Sequence, residues 1–156
     1  MAQAWTAIDD MPPEAFVDRI ERLVAELAPQ HAAGLVERAC AQDSTGHPDV
    51  AAPLYRAALA QGLTGLRRRR ATIQMASSLR NLGDAAQAAA LLSAELEAPS
   101  DELDGAVRAF LALALADLGR EREALVHTLT ALSHSLPRYN RSLARYAREL
   151  APPPAA

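Results

Sequence analysis

Apolar residues recur along the chain at the three- and four-residue intervals that place them on one face of a helix. Phe16, Ile20, Leu23, Val24 and Leu27 form the first such set, opened by Asp10 with Pro12 and Pro13 and closed by Pro29. Stop and start signals then return every fifteen to twenty residues. A second helix is predicted over about 30–43, stopping at Ser44-Thr45-Gly46. A third lies between Pro48 and Gln61, with Pro53 expected to shorten or kink its first turn. A fourth follows Gly65 and ends at Gly83, where Asp84-Ala85-Ala86-Gln87 has the form of a capping box for a fifth that runs to about 98. The acids of Pro99-Ser100-Asp101-Glu102 suit the positive end of a sixth, which stops at Gly119. A seventh covers about 120–135, and Pro137 starts an eighth that ends before Pro152-Pro153-Pro154. The tail, 151–156, is expected to be extended and disordered. The expectation is an all-α single domain, 1–156, built of antiparallel helix pairs.

Composition supports this and removes several chemistries. Ala (36) and Leu (23) make up 59 of 156 residues, while aromatic residues number six, which argues against a sheet protein. All 16 basic residues are Arg, so a phosphate loop with its Lys and any Schiff-base Lys are excluded. One cysteine, Cys40, excludes an internal disulfide and a cysteine-based zinc site. The net charge of −3 gives no global basic field for nucleic acid. It is distributed unevenly: residues 1–65 carry nine acids against four Arg, whereas 137–156 stand at +3. The first ten residues carry no basic segment followed by a long apolar one, and the longest strongly apolar run, 109–116, is too short to span a membrane. A cytoplasmic protein with no membrane contact is therefore expected.

The chain also repeats itself. Ala, six residues, Gly, four residues, Ala occurs as Ala39-Gly46-Ala51, Ala76-Gly83-Ala88 and Ala112-Gly119-Ala124, with the glycines 37 and 36 residues apart. At this alanine content the seven glycines would produce only about 0.4 such matches by chance. Leu79 and Leu115 precede their glycines by four, Tyr55 and Leu92 follow the second Ala by four, and Ala58 and Ala131 follow it by seven. A glycine that reverses the chain between two helices, with two alanines facing each other across the hairpin, accounts for the spacing.

This layout resembles the tetratricopeptide repeat. Leu82-Gly83-Asp84-Ala85-Ala86-Gln87-Ala88 and Leu118-Gly119-Arg120-Glu121-Arg122-Glu123-Ala124 look like its turn, and Arg80-Asn81-Leu82-Gly83 is similar to a segment of short bacterial members. The chain departs from the family at Glu95, where a small residue is usual, and at Leu35, Thr72 and Arg108, where the first helix usually has Trp. The resemblance implies a right-handed α-solenoid of three helix pairs over 32–136. Capping helices over 11–31 and 137–150 would complete it. It further implies a non-enzymatic protein–protein interaction module whose concave groove binds a peptide. By family register the groove residues are Arg70, Ile73, Gln74, Ser77, Arg80 and Asn81 in the middle repeat. In the third they are Ala106, Ala109, Phe110, Leu113, Ala116 and Asp117.

Other candidates weigh less. Asp43-Ser44-Thr45-Gly46 superficially matches the Asp-Thr-Gly of aspartic proteases, but it ends a helix and reads as a capped turn. His31, His47, His127, His134 and Cys40 suggest metal or nucleophilic chemistry, yet the helix of His127 and His134 is read as offering no carboxylate at i±4 to complete a set. No cofactor, metal or catalytic residue is expected. Arg67 to Arg70 covers every side of a helix start, so some members must be solvated and others must meet acids, or dock an acidic partner. Arg138, Arg141, Arg145 and Arg148 form one stripe on the last helix, suited to a cap. The functional expectation is an acidic peptide or partner segment in the groove. Two alternatives stand beside it: a structural homo-oligomer without peptide ligand, and Arg-mediated nucleic-acid binding; alanine-rich outer faces and the last helix pair also suit a weak homodimer.

Overall fold

A computed structural model describes residues 2–151; the remainder of the Pro-rich tail, 152–156, lies outside the described residues. Nine α-helices follow one another among those residues, with no strand. They are α1 (Ala2–Trp5), α2 (Pro13–Val24), α3 (Ala32–Ser44), α4 (Pro48–Ala60), α5 (Gly65–Asn81), α6 (Ala85–Leu96), α7 (Asp104–Asp117), α8 (Glu121–Ser135) and α9 (Asn140–Leu150). The expected all-α repeat of helix pairs is what the chain forms. A four-residue helix and a 3-10 turn at Ile8–Asp10 precede the first predicted helix; segments this short carry no periodicity to read.

The glycine turns repeat in atomic detail. Gly46, Gly83 and Gly119 have φ of +88°, +89° and +71°. At each, the N–H of the residue after the glycine bonds the carbonyl four before it: His47 to Gln42, Asp84 to Leu79 and Arg120 to Leu115, all at 2.9 Å. These bonds satisfy carbonyls that a helix end otherwise leaves open, and the left-handed residue they require is the reason for glycine. Asp84 then caps α6, its Oδ1 accepting from the Gln87 N–H at 3.0 Å.

Three boundaries differ from the sequence reading. α4 runs the whole way from Pro48 through exposed Pro53 to Ala60, and its first turn is intact, with Val50 and Ala51 donating to the His47 carbonyl. α7 begins at Asp104 because Asp101 turns the chain first, its carboxylate accepting from the Leu103 N–H at 2.8 Å. α9 begins at Asn140, not at Pro137: Leu136, before the proline, is extended, and Tyr139 is left-handed at φ 67°.

The chain divides into two compact units, 1–78 and 79–156. In the first, α2 packs on α3 and α3 on α4. Phe16, Ile20 and Val24 of α2 join Ala4 and Ala41 in a buried cluster, with Trp5 packed against it. Trp5 meets Phe16 edge to face at 5.1 Å, and Arg38 of α3 binds Glu21 of α2 at 2.8 Å. Tyr55 of α4 is wholly buried, its hydroxyl donating to Cys40 Sγ at 3.3 Å. In the second unit, α6 packs on α7, α7 on α8 and α8 on α9. Leu92, Val107, Leu111, Ala114 and Leu115 form its interior, and Arg122 donates to the Leu150 carbonyl at the end of α9. The alanines of the repeat motif are buried throughout. Glu95 is buried too, where the motif has alanine in other repeats.

Two stability measurements test this frame. No atom lies within 4 Å of a Cβ added at Gly83 or Gly105, so only backbone conformation separates them. Gly83→Ala is expected to cost about 1–2 kcal/mol, the penalty of a left-handed alanine. Gly105→Ala, inside α7, is expected to stabilise by about 0.4–1 kcal/mol in the same urea titration. Ala88 has no exposed surface, so Ala88→Leu is expected to overpack and cost about 1–3 kcal/mol, read as a lowered Tm with the helical spectrum retained.

Candidate functional site

Within the first unit, α3 and the N-terminal half of α5 line a cavity of about 470 Å³. α3 contributes Ala33, Val36, Glu37, Cys40 and Ser44; α5 contributes Arg67, Arg70, Ala71 and Gln74. On each helix these positions recur at three or four residues, so that one face of each turns to the same space. Trp5 closes one side, its Nε1 donating to Glu37 Oε2 at 2.7 Å.

The walls differ in charge. Arg67 and Arg70 are exposed, and neither forms an ion pair with another described residue. Arg69, next in the same run, is buried, so the four-Arg run splits around the helix as its length requires. Glu37 is engaged by the Trp5 indole and is the one carboxylate among the lining residues. Cys40 is no nucleophile here: burial pushes its thiol up, outweighing the Tyr55 hydroxyl that donates to it, so it remains protonated near neutral pH. The two helices are tied together by Ser78 of α5, whose hydroxyl donates to Asp43 Oδ1 of α3 at 2.8 Å while burial raises that carboxyl. Asp43 thus serves a helix-to-helix bond, and Thr45 beside it bonds back to the Ala41 carbonyl at 2.9 Å, as a helix end does.

The predicted groove residues separate. Arg70 and Gln74 line the cavity; Ser77 is half-buried; Ile73 is buried, at 4% exposure, and offers a ligand no surface, a correction to its place in the groove set. In the second unit Asn81 is exposed, but Arg80 is occupied: its Nη2 donates to Asp117 Oδ1 at 3.2 Å and its Nε lies 2.6 Å from Oδ2. Both had been assigned to the groove by register, and they neutralise one another. On α7, Leu113 is exposed at 46% and Phe110 is half-buried, giving that helix an open apolar face.

The α3 wall follows from the repeat register. Moving Arg70, Ile73, Gln74, Ser77 and Asn81 back by the 37-residue repeat lands on Ala33, Val36, Glu37, Cys40 and Ser44, all of which line the cavity. Trp5 lies outside the repeat and carries no such signal. The reading of His127 also needs correction: Glu123 does lie one turn before it, but Arg120 holds that carboxylate at 2.7 and 2.6 Å. Burial, with Arg108 alongside, pushes the His127 imidazole down. Among the described residues no three His, Cys, Asp or Glu side chains gather as a metal site would require, and no helix is long and apolar enough to cross a membrane.

No curated protein and no solved structure matches the chain. A family model described as tetratrico peptide repeat matches residues 32–150, from the first residue of α3 to the last of α9. With three superposable glycine turns, paired helices and a match over most of its length, the chain belongs to the tetratrico peptide repeat family.

Proposed function

We propose that this chain is a peptide-binding adaptor whose α3–α5 cavity receives an acidic segment of a partner protein. The family supports the general role, since tetratrico peptide repeats serve protein–protein interaction and are typically non-catalytic scaffolds. What carries the finer reading is the pair Arg67 and Arg70, two guanidinium groups at an open cavity with no carboxylate of the described chain taking either. A guanidinium presents a planar fork that fits a carboxylate with two parallel bonds. Gln74 and Ser44 suit a peptide backbone, and Trp5 with Val36 and Ala33 supplies apolar wall. Of the two groove Arg given by register, Arg70 is kept as an acidic anchor, Arg67 joins it, and Arg80 is set aside. Arg80→Glu would chiefly break the bond to Asp117.

Trp5 is the single tryptophan of the chain, so its emission reports the cavity directly. Titration of an eight-residue Glu- and Asp-rich peptide is expected to change that emission and to weaken as salt rises from 50 to 500 mM. Arg70→Glu is expected to lower the affinity about tenfold, roughly 1.4 kcal/mol, at unchanged Tm. Arg19→Glu, on α2, is expected to leave it unchanged. Equal affinity for wild type and Arg70→Glu would show that the acidic segment does not bind there.

A further inference from the structure

The outward face of α9 is the most concentrated charge on the chain that the cavity does not use. Ala147 is buried and Leu143 and Leu150 are half-buried, which sets the packed side of the helix against α8. At about 100° per residue, Arg141, Arg145 and Arg148 fall on the opposite side. Arg138 and Tyr139, just before the helix, are exposed, Tyr139 at 77%, and Tyr146 on the helix is exposed at 51%. Arg145 sits 4.8 Å over the Tyr146 ring, and its ion pair with Glu149 is long, 3.8 Å, between open side chains. Arg138, Arg141 and Arg148 form no ion pair with another described residue. Residues 137–151 carry four Arg against one acid, a balance of +3.

The opposite end of the chain is its complement. Residues 1–30 carry six acids against two Arg, a balance of −4. On α2, Phe16, Ile20 and Val24 are the buried side; Glu14, Asp18 and Glu21 lie on the other, with exposed Arg22 one turn after Asp18, its Nε donating to the Asp18 carbonyl at 3.2 Å. Glu14 and Asp18 are exposed and unpaired among the described residues, while Glu21 binds Arg38. Glu14, Asp18 and Glu21 are spaced by four and three, as are Arg141, Arg145 and Arg148. Each stripe is therefore about 10 Å long at 1.5 Å per residue, and the two open carboxylates, Glu14 and Asp18, repeat the four-residue spacing of Arg141 and Arg145.

We propose that the basic face of α9 docks on the acidic face of α2 in a second copy of this chain, so that copies associate head to tail. The contact joins two different surfaces, so a pair of copies still has one unused face of each kind, which a further copy can engage in a closed ring or an open chain. It is electrostatic at exposed sites, so it weakens steeply with salt. This reading is independent of the peptide cavity.

Sedimentation over a hundredfold concentration range tests it. Wild type is expected to show a rising average mass at 20 mM salt and to be at least tenfold more weakly associated at 300 mM. Arg141→Glu with Arg145→Glu leaves both ends acidic, and Glu14→Arg with Asp18→Arg leaves both ends basic; each double variant alone is expected to remain monomeric. Mixed in equal amounts they recreate complementary ends, and association is expected to return to within a fewfold of wild type, an outcome that damaged folding cannot imitate. A strictly monomeric wild type at low salt overturns the proposal, as does association that survives either reversal or fails to return on mixing. A monomeric wild type that binds a single-stranded oligonucleotide or an anionic vesicle through the four Arg also overturns it, and assigns the face to that partner.

Discussion

Each of the three repeat turns in this chain depends on a glycine that leaves the helical basin and on the hydrogen bond that this departure permits. An α-helix ends with carbonyls that have no partner, and a buried or half-buried end must find donors for them. Here the same 2.9 Å bond, from the residue after the glycine to the carbonyl four before it, does so three times. The positive φ that makes this bond possible also reverses the chain, so that α4 packs back on α3 and α8 on α7. A side chain at that position would place strain in each hairpin of the repeat.

The alanines follow from the same constraint. Once two helices are held by a short turn, their axes approach closely, and the contact positions tolerate little volume. Ala39, Ala51, Ala58, Ala76 and Ala88 accordingly have no exposed surface at all. Small contacts bury little apolar area each, so larger residues at fixed offsets supply the rest: Tyr55 and Leu92, four after the second alanine, are both buried. The wholly buried Tyr55 finds its one polar partner in Cys40, which explains a cysteine in a wall otherwise made of small and charged residues.

The cavity illustrates how repetition creates a site without any residue being special in itself. α3 and the N-terminal half of α5 present matching repeat positions to one space, and what distinguishes a site is which charges remain unengaged. Arg80 and Asp117 meet and cancel; Arg67 and Arg70 do not, and Glu37 is taken by the Trp5 indole. The result is an excess of positive charge facing open space, the arrangement that attracts carboxylates.

Helix content, the order of the pairs and the turn positions were determined by the sequence alone, since glycine conformation, alanine volume and three-four periodicity are local properties that 37- and 36-residue spacing makes visible. Local hydrogen bonding moved a few boundaries, as at Asp101 before α7 and Tyr139 before α9, where a side-chain turn or a left-handed residue delays the helix. The α3 wall of the cavity was present in the repeat register. Tertiary structure decided which register positions are free to act. Ile73 is buried, Arg80 is paired with a residue 37 positions away, and Trp5 reaches Glu37 across 32 positions from outside the repeat. Periodicity specifies which side of a helix a residue occupies, but whether its charge is spent depends on a partner that only folding brings near.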